Sequence, residues 1–264
     1  MLRPRIIPCL LVKNGGLVKT VKFASPKYVG DPINAVRIFN EKEVDELVVL
    51  DIDASVQKRE PNYTMIRNLA AECRMPLCYG GGVSTVDQAE RIIGMGVEKV
   101  AISASAMANP TLVSDMAKLI GSQSVVVVID AKKSGPKGYE VWTHNGLRPT
   151  GRSPIEFARE MEQRGAGEVV INSIDNDGIM KGYDITLVSQ IREAIRLPLT
   201  ALGGAGSHKD IKELINKFGI VGASAGSLFV FKGIYRAVLI SYPNRMEKDA
   251  LVSSVQNDLS LKNH

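Results

Sequence analysis

Residues 46–55 read ELVVLDIDAS and residues 168–177 read EVVINSIDND; at an offset of 122, Glu, Val, Ile and Asp recur in register. The same offset lays PLCYGGGVST (76–85) over PLTALGGAGS (198–207), where proline, leucine and two glycines coincide, and pairs Ala101 with Ala223 and Ser105 with Ser227. A period this long is not that of a solenoid unit. It points to one fold built from two similar halves. Each half offers a glycine turn that a phosphate could approach, which predicts a ligand carrying a phosphate at each end.

Outward from these stretches, short runs rich in Val, Ile and Leu alternate with amphipathic segments. RIIPCLLV, KVAISAS, SVVVVIDA and GIVGASAGS are further runs of the first kind; DPINAVRIFNEKEV, TVDQAERIIGMG, SPIEFAREMEQRG and HKDIKELINKFG are of the second. Continuous apolar strands mean burial on both faces, the mark of a parallel sheet. Eight strand–helix units within residues 1–242 leave no gap for a second domain. They predict a single closed (β/α)8 TIM barrel, with the twofold repeat supplying its two half-barrels. Asp31-Pro32, Asn109-Pro110 and Ser153-Pro154 each place a capping residue before a proline at a helix start. Two longer connections, 14–29 and 131–151, follow the first and fifth strands and are candidate lids. Residues 243–264 read as a polar C-terminal tail, expected to be mobile.

Composition narrows the function classes. The chain has 264 residues, 45% of them hydrophobic, and a net charge of +5. The basic excess fits anionic ligands or an acidic partner, but no aromatic-interleaved basic stripe accompanies it, so no nucleic acid is expected. No apolar run reaches membrane-spanning length, and the first residues do not read as a signal peptide. Three cysteines, Cys9, Cys73 and Cys78, lack metal-ligand spacing and read as reduced thiols of a cytoplasmic protein. Three histidines, His144, His208 and His264, leave little material for a metal site. No metal or cofactor is expected.

In such a barrel the chemistry sits at the C-terminal strand ends. Gly80-Gly81-Gly82 follows the third strand and Gly203-Gly204-Ala205-Gly206 the seventh; Ser103 to Ser105 end the fourth and Ala225-Gly226-Ser227 the eighth. Glycine lets backbone N–H groups approach an oxyanion, and a following helix start adds partial positive charge. The plainer alternative is that these glycines only serve tight turns; their recurrence at equivalent places favours two phosphate sites. Carboxylates also close strands: Asp51 and Asp53, Asp130, and Asp175 and Asp177. Asp130 follows an apolar run, so burial could raise its pKa toward general acid–base use; equally, it could be held by loop amides. The equivalent place on the first strand is Leu11. At the opposite strand ends stand Arg5, Glu46, Lys99 and Glu168, which could form a stabilising salt-bridge ring or a plug across the axis.

The stretches RIIPCLLVKNG, GDPINAVRIFNEKEVDELVVLDIDAS, YGGGVST, GSQSVVVVIDAKK, SIDNDGIMKGYD and GGAGS resemble the cyclase subunit of imidazole glycerol phosphate synthase, from Arg3 to about Phe231. The resemblance implies a (β/α)8 barrel that forms a heterodimer with a glutaminase subunit docked on its bottom. Ammonia released there would pass through the barrel to a bisphosphorylated ribonucleotide at the top. It implies that Asp130 is one catalytic aspartate and that Lys19 contacts substrate from the first long connection. Gly81, Gly82, Asp177, Gly178, Gly203, Gly204 and Ser227 fall on the family's phosphate-site motifs. With Asp51, Ser103 and Gly226 they make up the expected substrate and phosphate contacts. Arg5, Glu46, Lys99 and Glu168 match all four residues of the family's ammonia gate.

The departures fall on the top face. Leu11 stands where the family has its other catalytic aspartate, Asn172 where Thr is usual, Leu202 where Ser is usual, and Ser103 where Asn is usual. Losing a general acid or base costs ~10²–10⁴-fold in rate. An intact gate under a rewritten top face, and the closing phrase AGSLFVFKGIYRAVLISYP, resemble the paralogous branch that accompanies surface-polysaccharide gene sets. That branch implies delivery of ammonia to a sugar amidotransferase that forms an acetamidino group. The alternatives are a histidine-pathway cyclase-lyase and a non-catalytic scaffold that activates a glutaminase.

Overall fold

The computed structural model describes residues 3–135 and 138–261. Residues 136–137 of the second long connection and 262–264 of the expected tail lie outside the described residues, as do residues 1–2. Eight parallel strands form the barrel: β1 (Arg5–Lys13), β2 (Leu47–Asp51), β3 (Leu77–Gly80), β4 (Lys99–Ile102), β5 (Val125–Lys133), β6 (Glu168–Ser173), β7 (Leu199–Leu202) and β8 (Gly222–Ala225). Each pairs in parallel with the next, and β8 returns to β1 with Gly222 opposite Arg5, so the sheet is closed. This is the (β/α)8 barrel expected from the alternation of apolar runs and amphipathic segments.

The outer ring is α1 (Pro32–Glu41), α2 (Tyr63–Glu72), α3 (Val86–Ile93), α4 (Thr111–Ile120), α5 (Pro154–Gln163), α6 (Ile185–Ala194), α7 (His208–Phe218) and α8 (Arg245–Leu261). Short helices Ala104–Ala108 and Ser227–Val230 follow β4 and β8. Asp31 and Ser153 cap α1 and α5 by accepting the amides of Asn34 and Ile155, with the proline at the first turn. Asn109 does not act this way: Pro110 holds the cap position of α4, and the Asn109 side chain accepts the Thr111 hydroxyl instead.

One further expectation changes in the structure. The stretch read as a mobile polar tail contains α8, which packs on α7. Leu251 and Val252 are buried there, and Lys248 donates to the Glu43 carbonyl (2.9 Å) and pairs with Asp45 (3.2 Å). The two long connections expected as candidate lids carry, among their described residues, strands that pair antiparallel with barrel strands. Strand Gly16–Val21 pairs with β1, Val18 opposite Leu11, and with Ala24–Gly30. Strand Tyr139–Thr143 pairs with β5, Trp142 opposite Asp130.

Alternation along each strand divides the apolar residues into two cores. Outward residues such as Ile6, Leu47, Val127 and Val169 meet the helices. Inward residues Ile7, Val48, Cys78, Ala101, Val126 and Val170 fill the barrel. Burial on both faces explains why the strands read as unbroken Val/Ile/Leu runs.

Candidate functional site at the top face

One cavity opens at the C-terminal ends of the strands. It is lined by Lys19, Asp51, Gly81, Gly82, Ser103, Asp130, Asp177, Gly178, Gly203, Gly204, Gly226 and Ser227. The residues expected to contact substrate or phosphate, and Asp130, are therefore brought to one place, whereas Asp53, Asp175 and Gly206 do not line it. Residues not expected there also line it: Thr20 and Phe23 from the first hairpin, and His144 and Asn145 from the second. Hairpin geometry supplies these, and a linear pattern gives little sign of it. Leu11, Leu50, Leu202, Val128 and Cys9 make the floor apolar.

Asp130 rises from that floor on β5. Burial pushes its carboxyl up to about 7; the hydrogen bond donated by Asn172 Nδ2 (2.9 Å) pulls the other way, and the charge of Asp177 adds to the rise. A carboxyl titrating near neutrality can give or take a proton under physiological conditions. The pairing follows from register, since Asn172 on β6 lies directly opposite Asp130 on β5.

The other carboxylates are tied into the rim. Asp51 accepts the amides of Asp53 and Ala54, both at 3.1 Å, and lies 3.6 Å from Arg59. Burial raises its pKa, against the pull of Arg59 and the two amides. Asp177 accepts from the Thr20 hydroxyl (2.7 Å) and the Phe23 amide (3.1 Å), so it fastens the first hairpin across the mouth. On that hairpin Lys19 is 5% exposed, and its ammonium donates to the Cys9 carbonyl at 2.6 Å. Burial lowers the Lys19 pKa, with Cys9 and Asp177 opposing.

The glycine turns are set by close backbone approach. Gly204 has φ +109°, and a Cβ there would collide with the Gly182 carbonyl; Gly81, at φ +122°, would collide with that of Asp51. Both requirements select glycine. Ser103 and Ser227 open the short helices after β4 and β8.

At the opposite end the four charged residues form a closed ring of alternating sign. Arg5 binds Glu46 and, at 2.7 Å, Glu168; Lys99 reaches Glu46 at 2.9 Å and Glu168 at 2.8 Å. Thr200, not singled out from the sequence, donates to Glu168 at 2.6 Å. Its inward parity on β7, beside Glu168 on β6, was the available signal. Burial alone would raise the Glu168 pKa, but Arg5 and Lys99 outweigh it and hold the carboxyl below its usual range. Burial works against the Lys99 ammonium too, and Glu168 and Glu46 overcome it. Among the described residues no cluster of His, Cys, Asp and Glu could hold a metal, and no helix is long and apolar enough to cross a membrane.

Fold and site together define a (β/α)8 barrel with a carboxylate-bearing ligand cavity at one end and a charged closure at the other. Residues 5–235 match the family described as "Histidine biosynthesis protein", and the chain belongs to that family. Within it the chain is HisF-like, of the type that forms the cyclase subunit of imidazole glycerol phosphate synthase. A Leptospira interrogans protein provisionally named imidazole glycerol phosphate synthase subunit HisF is 57% identical over 252 residues, 95% of this chain and 99% of the relative. A Pseudomonas aeruginosa protein provisionally named subunit hisF2 is 54% identical over 244 residues, 92% and 97% of the two chains. The Streptococcus sanguinis imidazole glycerol phosphate synthase subunit HisF is 39% identical over 229 residues, 87% and 91% of the two chains.

Proposed function

We propose that this chain is the ammonia-receiving synthase subunit of a glutamine amidotransferase complex, and that its ammonia serves amidination of a surface-polysaccharide sugar. The observation that carries the reading is the contrast between the two ends of the barrel. The ring of Arg5, Glu46, Lys99 and Glu168 is complete, while Leu11, an aliphatic residue, shares the cavity with Asp130. An aliphatic side chain neither accepts nor donates a proton, so acid–base cyclisation would rest on Asp130 alone.

On this reading a glutaminase subunit docks at the bottom, and ammonia enters through the ring and crosses the apolar interior. The glycine turns and the Ser103 and Ser227 helix starts hold a phosphorylated small molecule or keep the frame of an ancestral site. The carboxyl of Asp130, pushed up to about 7, favours a second reading: a histidine-pathway cyclase-lyase that works with one acid–base group.

One assay separates the two. The purified chain is given the bisphosphorylated histidine intermediate with ammonium salt, and substrate loss is followed by absorbance beside a Leu11→Asp variant. The expected result is no turnover by the parent and gain of turnover by the variant. Turnover by the parent would overturn the amidination reading and establish the cyclase.

A further inference from the structure

The inward positions on β6 read Glu168, Val170, Asn172, and those on β5 read Val126, Val128, Asp130. Above the charged ring a small molecule following the axis therefore meets hydrocarbon and the Cys9 and Cys78 thiols until it reaches Asn172 and Asp130. Ser224 on β8 is also polar, but its hydroxyl already donates to the Ile7 carbonyl at 3.0 Å.

Asn172 is 6% exposed, and its carbonyl oxygen Oδ1 is buried without a hydrogen-bond partner, although the residue lines the cavity. Its amide nitrogen is committed to Asp130 Oδ1 at 2.9 Å, which leaves the second oxygen of Asp130 for another partner. A buried acceptor left unsatisfied is destabilising, so the oxygen calls for an N–H or O–H donor. Leu202, directly opposite Asn172 in register, has none to give.

We infer that Asn172 Oδ1 and the free oxygen of Asp130 form a binding station for ammonia or ammonium at the exit from the barrel interior. The chemistry matches in both protonation states. Neutral ammonia needs an acceptor for an N–H and a donor for its lone pair, which Asn172 and the protonated carboxyl supply. Ammonium needs acceptors only, which Asn172 and the carboxylate supply. Besides the Cys9 thiol, the titratable groups sharing the cavity with the pair are Asp177, Lys19, Asp51 and His144. Asp51 is held by the amides of Asp53 and Ala54, and His144 lies against the Thr143 hydroxyl. Lys19 is turned to the Cys9 carbonyl and Asp177 to Thr20, so neither fills the position. Asn172 acts here by positioning the nitrogen and does not itself exchange a proton.

The inference rests on the reading that ammonia travels this barrel, but its test needs neither a glutaminase nor an acceptor. Aspartate carrying ¹³C at its carboxyl is incorporated into the full chain, and the Asp130 resonance, assigned by its loss in Asp130→Asn, is titrated with pH. Three salts are compared at equal ionic strength: sodium, ammonium and methylammonium chloride. Ammonium is expected to lower the Asp130 midpoint by about half a pH unit or more relative to sodium, roughly 3-fold in proton affinity, because it binds the ionised form. Methylammonium should do less, and Asn172→Leu should abolish the ammonium–sodium difference. Asn172→Ser, which keeps a small polar side chain, guards against a folding defect and should retain part of the difference. Equal midpoints in ammonium and sodium would overturn the station, as would a full difference in folded Asn172→Leu. Equal midpoints beside intact glutamine-dependent transfer would remove this site alone. A clear ammonium response without any transfer would instead remove the amidotransferase reading.

Discussion

Asp130 carries opposing demands at the residue scale: it stands half-buried over an apolar floor, and desolvation there pushes its carboxyl up to about 7 against 3.8 for the free side chain. Below both values the two states carry the proton alike. Between them the native state holds a proton that the unfolded chain has released, so stability falls as pH rises through this window. Asp130→Asn keeps an acceptor for Asn172 and removes the charge. Its melting temperature should exceed the parent's by more at pH 8 than at pH 5, with a gain of roughly 1–4 kcal/mol at pH 8; an equal gain at both pH values would refute the assignment. Glu168 has the opposite sign. Its native pKa is held low, so the ring's contribution is present at neutral pH and is lost as pH falls through that native value. Lys99→Met leaves two buried carboxylates sharing Arg5 and should cost about 3–5 kcal/mol in denaturant unfolding at pH 7. Adding Glu46→Leu should recover much of that loss, since it removes the uncompensated charge.

At the scale of elements, the glycine turns and α8 are the testable parts. Gly204→Ala meets both a left-handed backbone and the Gly182 carbonyl, and should destabilise by roughly 1–3 kcal/mol while shifting the turn after β7. Weakened binding of inorganic phosphate, measured by calorimetry, would accompany that shift if the turn holds phosphate. A chain ending at Asn244 loses the burial of Leu251 and Val252, ~1.5–3 kcal/mol each, and should bind a hydrophobic dye that the parent does not. The eight strands could be read from apolar runs because burial on both faces leaves few polar interruptions. α8 could not, since among its described side chains Leu251 and Val252 are the buried ones and polar residues hold most of its positions. The ring and the glycine turns were legible as sets of like positions, yet their bonds were not: which acid meets which base depends on barrel register, and a one-residue change would turn each side chain to the other face. The same holds for Asn172, which reads as a departure from a family pattern until its amide is seen on Asp130.

For the whole molecule, the barrel separates two chemistries along one axis. The charged ring and the top-face turns share no side-chain partner among the described residues. Lys99→Met and Gly204→Ala should therefore add in free energy to within ~0.5 kcal/mol; a larger deviation in the double variant would show the ends to be coupled. The twofold repeat explains why both ends recur in each half: Glu46 and Glu168 stand at one period's spacing, as do the two glycine turns. Closure, however, belongs to neither half. The seam joins Arg5 to Gly222 and Pro8 to Ala225, the pairing that spans the greatest length of chain in the barrel. A ribosome must therefore extend the polypeptide past residue 222 before β1 finds its second neighbour. Through most of synthesis that strand presents a bare apolar edge, which makes it the place where chaperones would hold the nascent protein and where crowded neighbours would stick to it.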